Sequence, residues 1–174
     1  MPMPHFSTSS DAQNAAETPE VGDMPLFAPL GRHHFTQGLT ETQIESLAAL
    51  AAEVAFEENE VILEAGQRST SFYLLTSGSV AVELRTASYS VCVQALGPGQ
   101  VFGWSALLDH QDTLFQVRAR ERTTALRLEG AALARLCRTD TQLGTEILHR
   151  TLQVVAGRVK ATELRFAEMC GVKI

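Results

Sequence analysis

Apolar positions along this chain change their spacing twice, and each change marks a different kind of element. The first helical signal is Thr40-Glu41-Thr42-Gln43. A threonine hydroxyl there can accept from the amide three residues on while the glutamine side chain reaches back, with Leu39 and Ile44 at the staple positions. The helix this capping box opens is predicted to run through Leu47, Leu50 and Ala51 on one face. From Val54 to Leu128 the period drops to two. Val61-Ile62-Leu63 and Phe72-Tyr73-Leu74-Leu75 are short apolar runs ending at Ala65-Gly66 and Ser77-Gly78. Val80, Val82 and Leu84 alternate with Ala81, Glu83 and Arg85, the pattern of a half-buried strand, and Val91, Val93 and Ala95 alternate in the same way. Phe115, Val117 and Ala119 face opposite to Gln116, Arg118 and Arg120, and residues 125–128 form a further short strand.

The period then returns to helical. Residues 130–137 read as a short helix, and Thr139 with Gln142 form a second possible capping box. Beyond it Leu148, Leu152, Val155, Val159, Thr162, Phe166 and Met169 recur at alternating spacings of four and three, a heptad seam. At about 1.5 Å per residue the helix is roughly 40 Å long, more than one small barrel can cover. The seam is therefore read as the contact of a homodimer. In a parallel pair Arg158 and Glu163 fall at g and e positions, where opposite charges favour that alignment. Thr162 is the one polar residue on the seam.

Many short strands with glycine turns predict an α+β fold: a β jelly-roll (double-stranded β-helix) barrel, an N-terminal helix and a long C-terminal dimerisation helix. Residues 1–25, rich in Ser, Thr, Ala and Pro with few large apolars, read as a disordered tail. Residues 26–138 hold the β-roll and its flanking helices, and 139–174 the long helix. Fourteen basic against twenty acidic residues give a net charge of −6, which argues against a nucleic-acid face. No apolar run approaches the roughly 20 residues of a membrane span, and no signal peptide opens the chain. Three scattered cysteines fit a reducing compartment, so a cytoplasmic protein is expected.

The richest stretch is Val101-Phe102-Gly103-Trp104-Ser105-Ala106-Leu107-Leu108, placed after Leu96-Gly97-Pro98-Gly99 and before Val117-Arg118-Ala119. It resembles the phosphate cassette of the cyclic-nucleotide-binding domains of the Crp/Fnr type. Residues 34–40 are similar to that family's entry motif, and residues 72–80 to its central hairpin. The Gly-Trp-Ser-Ala-Leu version is similar to that of small, stand-alone bacterial members. The resemblance implies a pocket in which a glutamate holds the ribose and an arginine the cyclic phosphate. Here Trp104 stands in place of the glutamate, and Thr113 and Leu114 stand where the arginine belongs. The resemblance therefore implies a regulatory or sensor module that does not grip cyclic AMP or cyclic GMP tightly. It also implies dimerisation through the C-terminal helix. No helix-turn-helix follows that helix, so DNA reading is not expected.

The pocket candidates are Phe102, Gly103, Trp104, Ser105, Ala106, Leu107, Thr113 and Leu114. Two readings of Trp104 stay open. It is a stacking face for a small anionic or aromatic ligand, held partly by backbone N–H groups, or it is core that fills the vacated pocket. The second reading makes the protein a structural or protein-interaction subunit. Residual binding of a cyclic nucleotide or another anion is a further alternative. No catalytic residue, metal site or cofactor is expected. The five histidines include no His-x-His pair on a strand, which argues against a metalloenzyme of similar barrel shape. Some relatives are haem sensors, which leaves His110 a remote candidate ligand. Cys92 and Cys137 read as core thiols, and Cys170 as a thiol beside the seam.

Overall fold

The computed structural model describes residues 25–108 and 112–171. The tail and His110 lie outside the described residues, apart from residue 25. Short helix α1 (Phe27–Arg32) leads through a 3-10 turn (His34–Thr36) to α2 (Glu41–Ala48). The capping box forms as expected. The Thr40 hydroxyl accepts from the Gln43 amide at 3.3 Å, and the Gln43 side chain accepts from the Thr40 amide at 3.0 Å. The helix is shorter than predicted. Leu50 lies beyond it and Ala51 already begins β1 (Ala51–Phe56), which pairs along its whole length with a later strand. A full ladder of backbone hydrogen bonds outweighs the helix propensity of an alanine-rich stretch, which is a weak prior.

The remaining strands are β2 (Val61–Leu63), β3 (Ser71–Ser77), β4 (Val80–Arg85), β5 (Ser90–Leu96), β6 (Val101–Phe102), β7 (Gln116–Ala119) and β8 (Thr123–Glu129). They form two antiparallel four-stranded sheets, ordered β1-β8-β3-β6 and β2-β7-β4-β5. This is the predicted jelly roll, but not a closed barrel: no named strand of one sheet pairs with the other. Between the sheets lie Tyr73, Leu75, Val80, Val82, Leu96, Phe102, Val117 and Ala125. The opposite face of the first sheet, with Phe72, Leu74, Val101, Leu126 and Leu128, packs under the helices. Strand β3 is thus buried on both faces, which is why it reads as an unbroken apolar run.

On β5 the expected alternation fails. Val91 and Ala95 are exposed, and the register slips between Val82 and Glu83 of the neighbouring strand. A bulge leaves one residue unpaired and re-aims the side chains beyond it. Because β5 is an edge strand, no further strand covers those side chains.

Two helices close the domain: α3 (Gly130–Thr139) and α4 (Thr141–Met169). The second capping box does not form. Asp140 caps α4 instead, its carboxylate accepting from the Leu143 amide at 2.9 Å. Carboxylates are strong N-caps, and Asp140 stands one residue closer to the helix than Thr139. Leu143, Gly144, Ile147 and Thr151 bury one face of α4 against the domain. Gly144 is needed there, because a Cβ on it would lie 2.2 Å from the Cys137 carbonyl oxygen of α3.

His33 ties the N-terminal turn to the sheet. Its Nε2 lies 3.0 Å from the Leu75 carbonyl, and its Nδ1 accepts from the Phe35 amide at 3.1 Å. Both contacts are satisfied by a neutral ring protonated on Nε2. Burial holds its pKa below the ordinary histidine value, against the Leu75 hydrogen bond, which acts in the other direction.

Two sites on these elements carry measurable consequences for stability. Gly144→Ala should lower unfolding free energy by about 1–3 kcal/mol through overpacking. Gly157→Ala on the same helix, whose Cβ meets nothing within 4 Å, should raise it by about 0.5–1 kcal/mol. Guanidinium denaturation of both variants checks the opposite signs. The unfolded chain binds a proton on His33 more readily than the folded one. The stability it contributes is therefore complete above about pH 6.5 and declines as pH falls from there through the lowered folded pKa. His33→Gln, which keeps an amide donor for Leu75, should flatten that part of the stability–pH curve.

Candidate functional site

The cassette begins at β6, where Phe102 lies opposite Tyr73 and Val101 opposite Leu74. The Phe102 and Tyr73 rings stack at 4.7 Å with an interplanar angle of 9°, and Phe56 meets Tyr73 edge-on at 6.0 Å. These three aromatics occupy part of the space between the sheets. Gly103 comes next with φ +76°, and a Cβ there would stand 2.3 Å from the Ser71 carbonyl oxygen. Glycine is required on both counts: the left-handed conformation and the close approach of β3.

The chain then makes a 3-10 turn over Trp104–Leu107, closed by Ala106 N–H to Gly103 O and extended by Leu108 N–H to Ser105 O, both 3.0 Å. Ala106 sits against the start of α3, so closely that a Cβ on Gly130 would be 2.6 Å from its carbonyl oxygen. The turn is wedged between β3 and α3. Trp104 and Leu107 are half-buried and pack on the helix-side core, not on the cluster between the sheets. Ser105 and Ala106 are half-buried as well, and Leu108 is exposed.

Thr113 is fully engaged with nearby backbone. Its hydroxyl donates to Phe115 O at 2.8 Å, its amide to Gln67 O at 3.0 Å, and its carbonyl accepts from the Gly66 amide at 2.7 Å. Leu114 is 68% exposed. Neither residue places a cation where the resemblance implies an arginine. Phe102 through Leu107 are contiguous in space, whereas Thr113 and Leu114 sit on a separate loop bonded to residues 66–67.

A polar cluster on the second sheet is not apparent from the sequence. Gln116 was expected on a polar outer face but is fully buried. Its Nε2 donates to Glu83 Oε2 at 2.6 Å, and Arg118 Nε donates to the same oxygen at 3.3 Å while its Nη1 holds Asn59 O at 2.7 Å. Gln116 Oε1 has no hydrogen-bond partner among the described residues. Facing positions 83 and 116 across β4 and β7 was the available signal, but it depends on knowing the strand pairing.

The C-terminal helix presents two unlike faces. Leu148 (53%), Leu152 (65%), Val159 (51%), Phe166 (66%) and Met169 (86%) are exposed, Val155 is half-buried, and Thr162 returns its hydroxyl to Arg158 O. Arg158 occupies the g position of the heptad. It turns to the domain, and its Nη2 donates to Val101 O at 2.6 Å, while Arg165 reaches the Val93 carbonyl. Both arginines flank the apolar stripe, and these carbonyl contacts draw their side chains toward the sheets.

Of the thiols, Cys137 is half-buried, and burial pushes its pKa up. Cys92 is exposed, not core, because it lies on the outer edge strand beside the bulge. Cys170 is exposed at the end of α4. His149 is exposed and pairs with Gln153 at 3.1 Å. No helix among the described residues is long and apolar enough to cross a membrane.

Comparison with known proteins matches residues 53–140 to the cyclic nucleotide-binding domain. A protein of Rhodopseudomonas palustris named as a potassium channel protein is 29% identical over 152 residues, 87% of this chain and 34% of that relative. The chain thus spans about a third of that relative's length. Among solved structures, a cyclic nucleotide-binding domain from Methylobacillus flagellatus superposes with a TM-score of 0.74 at 18% identity, covering 84% of this chain and 85% of that one. The catabolite activator protein of Thermus thermophilus gives a TM-score of 0.65 at 21% identity, covering 79% and 63%. At these identities the two structures show the fold.

Proposed function

Given that this chain belongs to the cyclic nucleotide-binding domain family, we propose that it is a non-enzymatic regulatory module whose cassette no longer grips a cyclic nucleotide tightly. The observation that carries this reading is the position of Trp104. The side chain that replaces the implied ribose-binding carboxylate packs on the helix-side core, and Thr113 has its hydroxyl on Phe115. A charge-assisted hydrogen bond contributes about 1.5–3 kcal/mol, so losing two lowers affinity by at least about a hundredfold. The Tyr73–Phe102 stack supports the variant of this reading in which the roll is closed and the protein works as an interaction subunit.

The apolar stripe of α4 supports a homodimer. Five large side chains on one helix face lie in water in the single chain, and such contiguous patches mark association surfaces. Their four-and-three spacing is that of a two-helix seam. The arginines that flank the stripe are bound to the domain, which leaves the stripe outward.

Two measurements test these readings. Calorimetry with cyclic AMP or cyclic GMP should show no binding tighter than about millimolar; a micromolar Kd would overturn the cassette reading. Leu152→Glu with Val159→Glu should convert a dimer into a folded monomer in light scattering. Both positions are exposed in the single chain, so its own packing loses little. A wild-type monomer at tens of micromolar, or a dimeric double variant, would overturn the seam.

A further inference from the structure

A second cavity, of about 330 Å³, opens between α4, the 3-10 turn at His34 and the β5–β6 turn. Val101, the first cassette residue, lines it, but none of residues 103–108, 113 or 114 does, so it adjoins the cassette turn without including it. Phe35, Leu96 and Val154 give it apolar walls, and the amide side chains of Gln100 and Gln153 stand at its lining. Its lining holds one permanent charge, that of Arg158, and one imidazole, that of His34.

Arg158 is unusual among the arginines of this chain. It is half-buried, and desolvation alone holds its pKa below the ordinary arginine value. A buried guanidinium is normally matched by a carboxylate, because an isolated buried charge is costly. Among the described residues none lies within ion-pair distance of it. Its hydrogen bond to Val101 O uses one of five N–H donors. The amphipathic character of the cavity, apolar walls with a single cation, defines its complement. The volume lies at the small end of ligand pockets, which usually hold an apolar body fixed by a few placed polar groups. A planar guanidinium pairs bidentately with carboxylates.

We propose that this cavity is a binding site for a small organic carboxylate with an apolar body, whose carboxylate pairs with Arg158 and whose body lies against Phe35, Leu96 and Val154. The bound anion supplies the counter-charge that the fold leaves out. The site is independent of the cassette reading.

Titration calorimetry and NMR of the full chain with 3-phenylpropanoate test this directly, with 3-phenylpropanamide as the uncharged counterpart. The carboxylate should bind with a Kd below about 1 mM and the amide at least tenfold more weakly. Arg158→Met should lose carboxylate binding at least tenfold, with Arg158→Lys retaining part of it. Gly157→Leu should block the cavity without touching the charge. It gains helix propensity and has open space at its Cβ, so lost binding with an unchanged or higher melting temperature separates occlusion from unfolding. Equal binding of acid and amide, unchanged binding by Arg158→Met or Gly157→Leu, or no binding by wild type at 5 mM would overturn the proposal. Cyclic AMP is titrated separately into wild type and Arg158→Met. Tight binding to both would overturn the cassette reading while leaving the carboxylate result intact.

Discussion

The burial of one strand on both faces is the constraint on which the rest of this structure depends. Residues 71–77 send Phe72 and Leu74 into the helix-side core and Tyr73 and Leu75 into the space between the sheets. The same backbone also accepts ties from outside its sheet. The Leu75 carbonyl is met by both the His33 ring and the Gly99 amide, and the Ser71 carbonyl closes on Gly103 so tightly that no side chain fits. A strand buried on both faces cannot shift without exposing one apolar set or the other. The cassette inherits its position from this strand, since β6 pairs with it and the left-handed glycine leaves it.

From that anchor the helices acquire distinct duties. The first turns of α4 complete the core, with Gly144 allowing close approach to α3. The later turns hold to the domain chiefly by arginine side chains on strand carbonyls. The division explains how one helix can bury Leu143 and Ile147 and yet leave Leu152, Phe166 and Met169 in water. It also places the cation of the α4 cavity and the outward stripe on adjoining faces of the same helical turns. Val159 of the stripe is the immediate neighbour of Arg158 in sequence.

The path of the cassette is set by its backbone. Gly103, the 3-10 turn and the wedge against Gly130 preserve the path of the chain. Trp104 packs on the helix-side core, and the loop at Thr113 satisfies its own hydrogen bonds. The shape of the cassette rests on glycines and strand pairing rather than on the side chains that line it.

The sequence by itself determined the main element types, the jelly-roll class and the apolar stripe on α4, because each arises from local periodicity. The Thr40 capping box was legible to the atom, since both of its bonds are made within four residues. The end of α2 was not, because β1 is decided by a partner about seventy residues away. Asp140 rather than Thr139 as a cap, the exposed face of β5 and the burial of Gln116 likewise depend on packing and register that no local window contains. The direction of Arg158 shows this most clearly. Heptad spacing assigned it to a neighbouring chain, and the tertiary structure turned it inward, where a strand carbonyl and an apolar cavity wait at the distance a long side chain can reach.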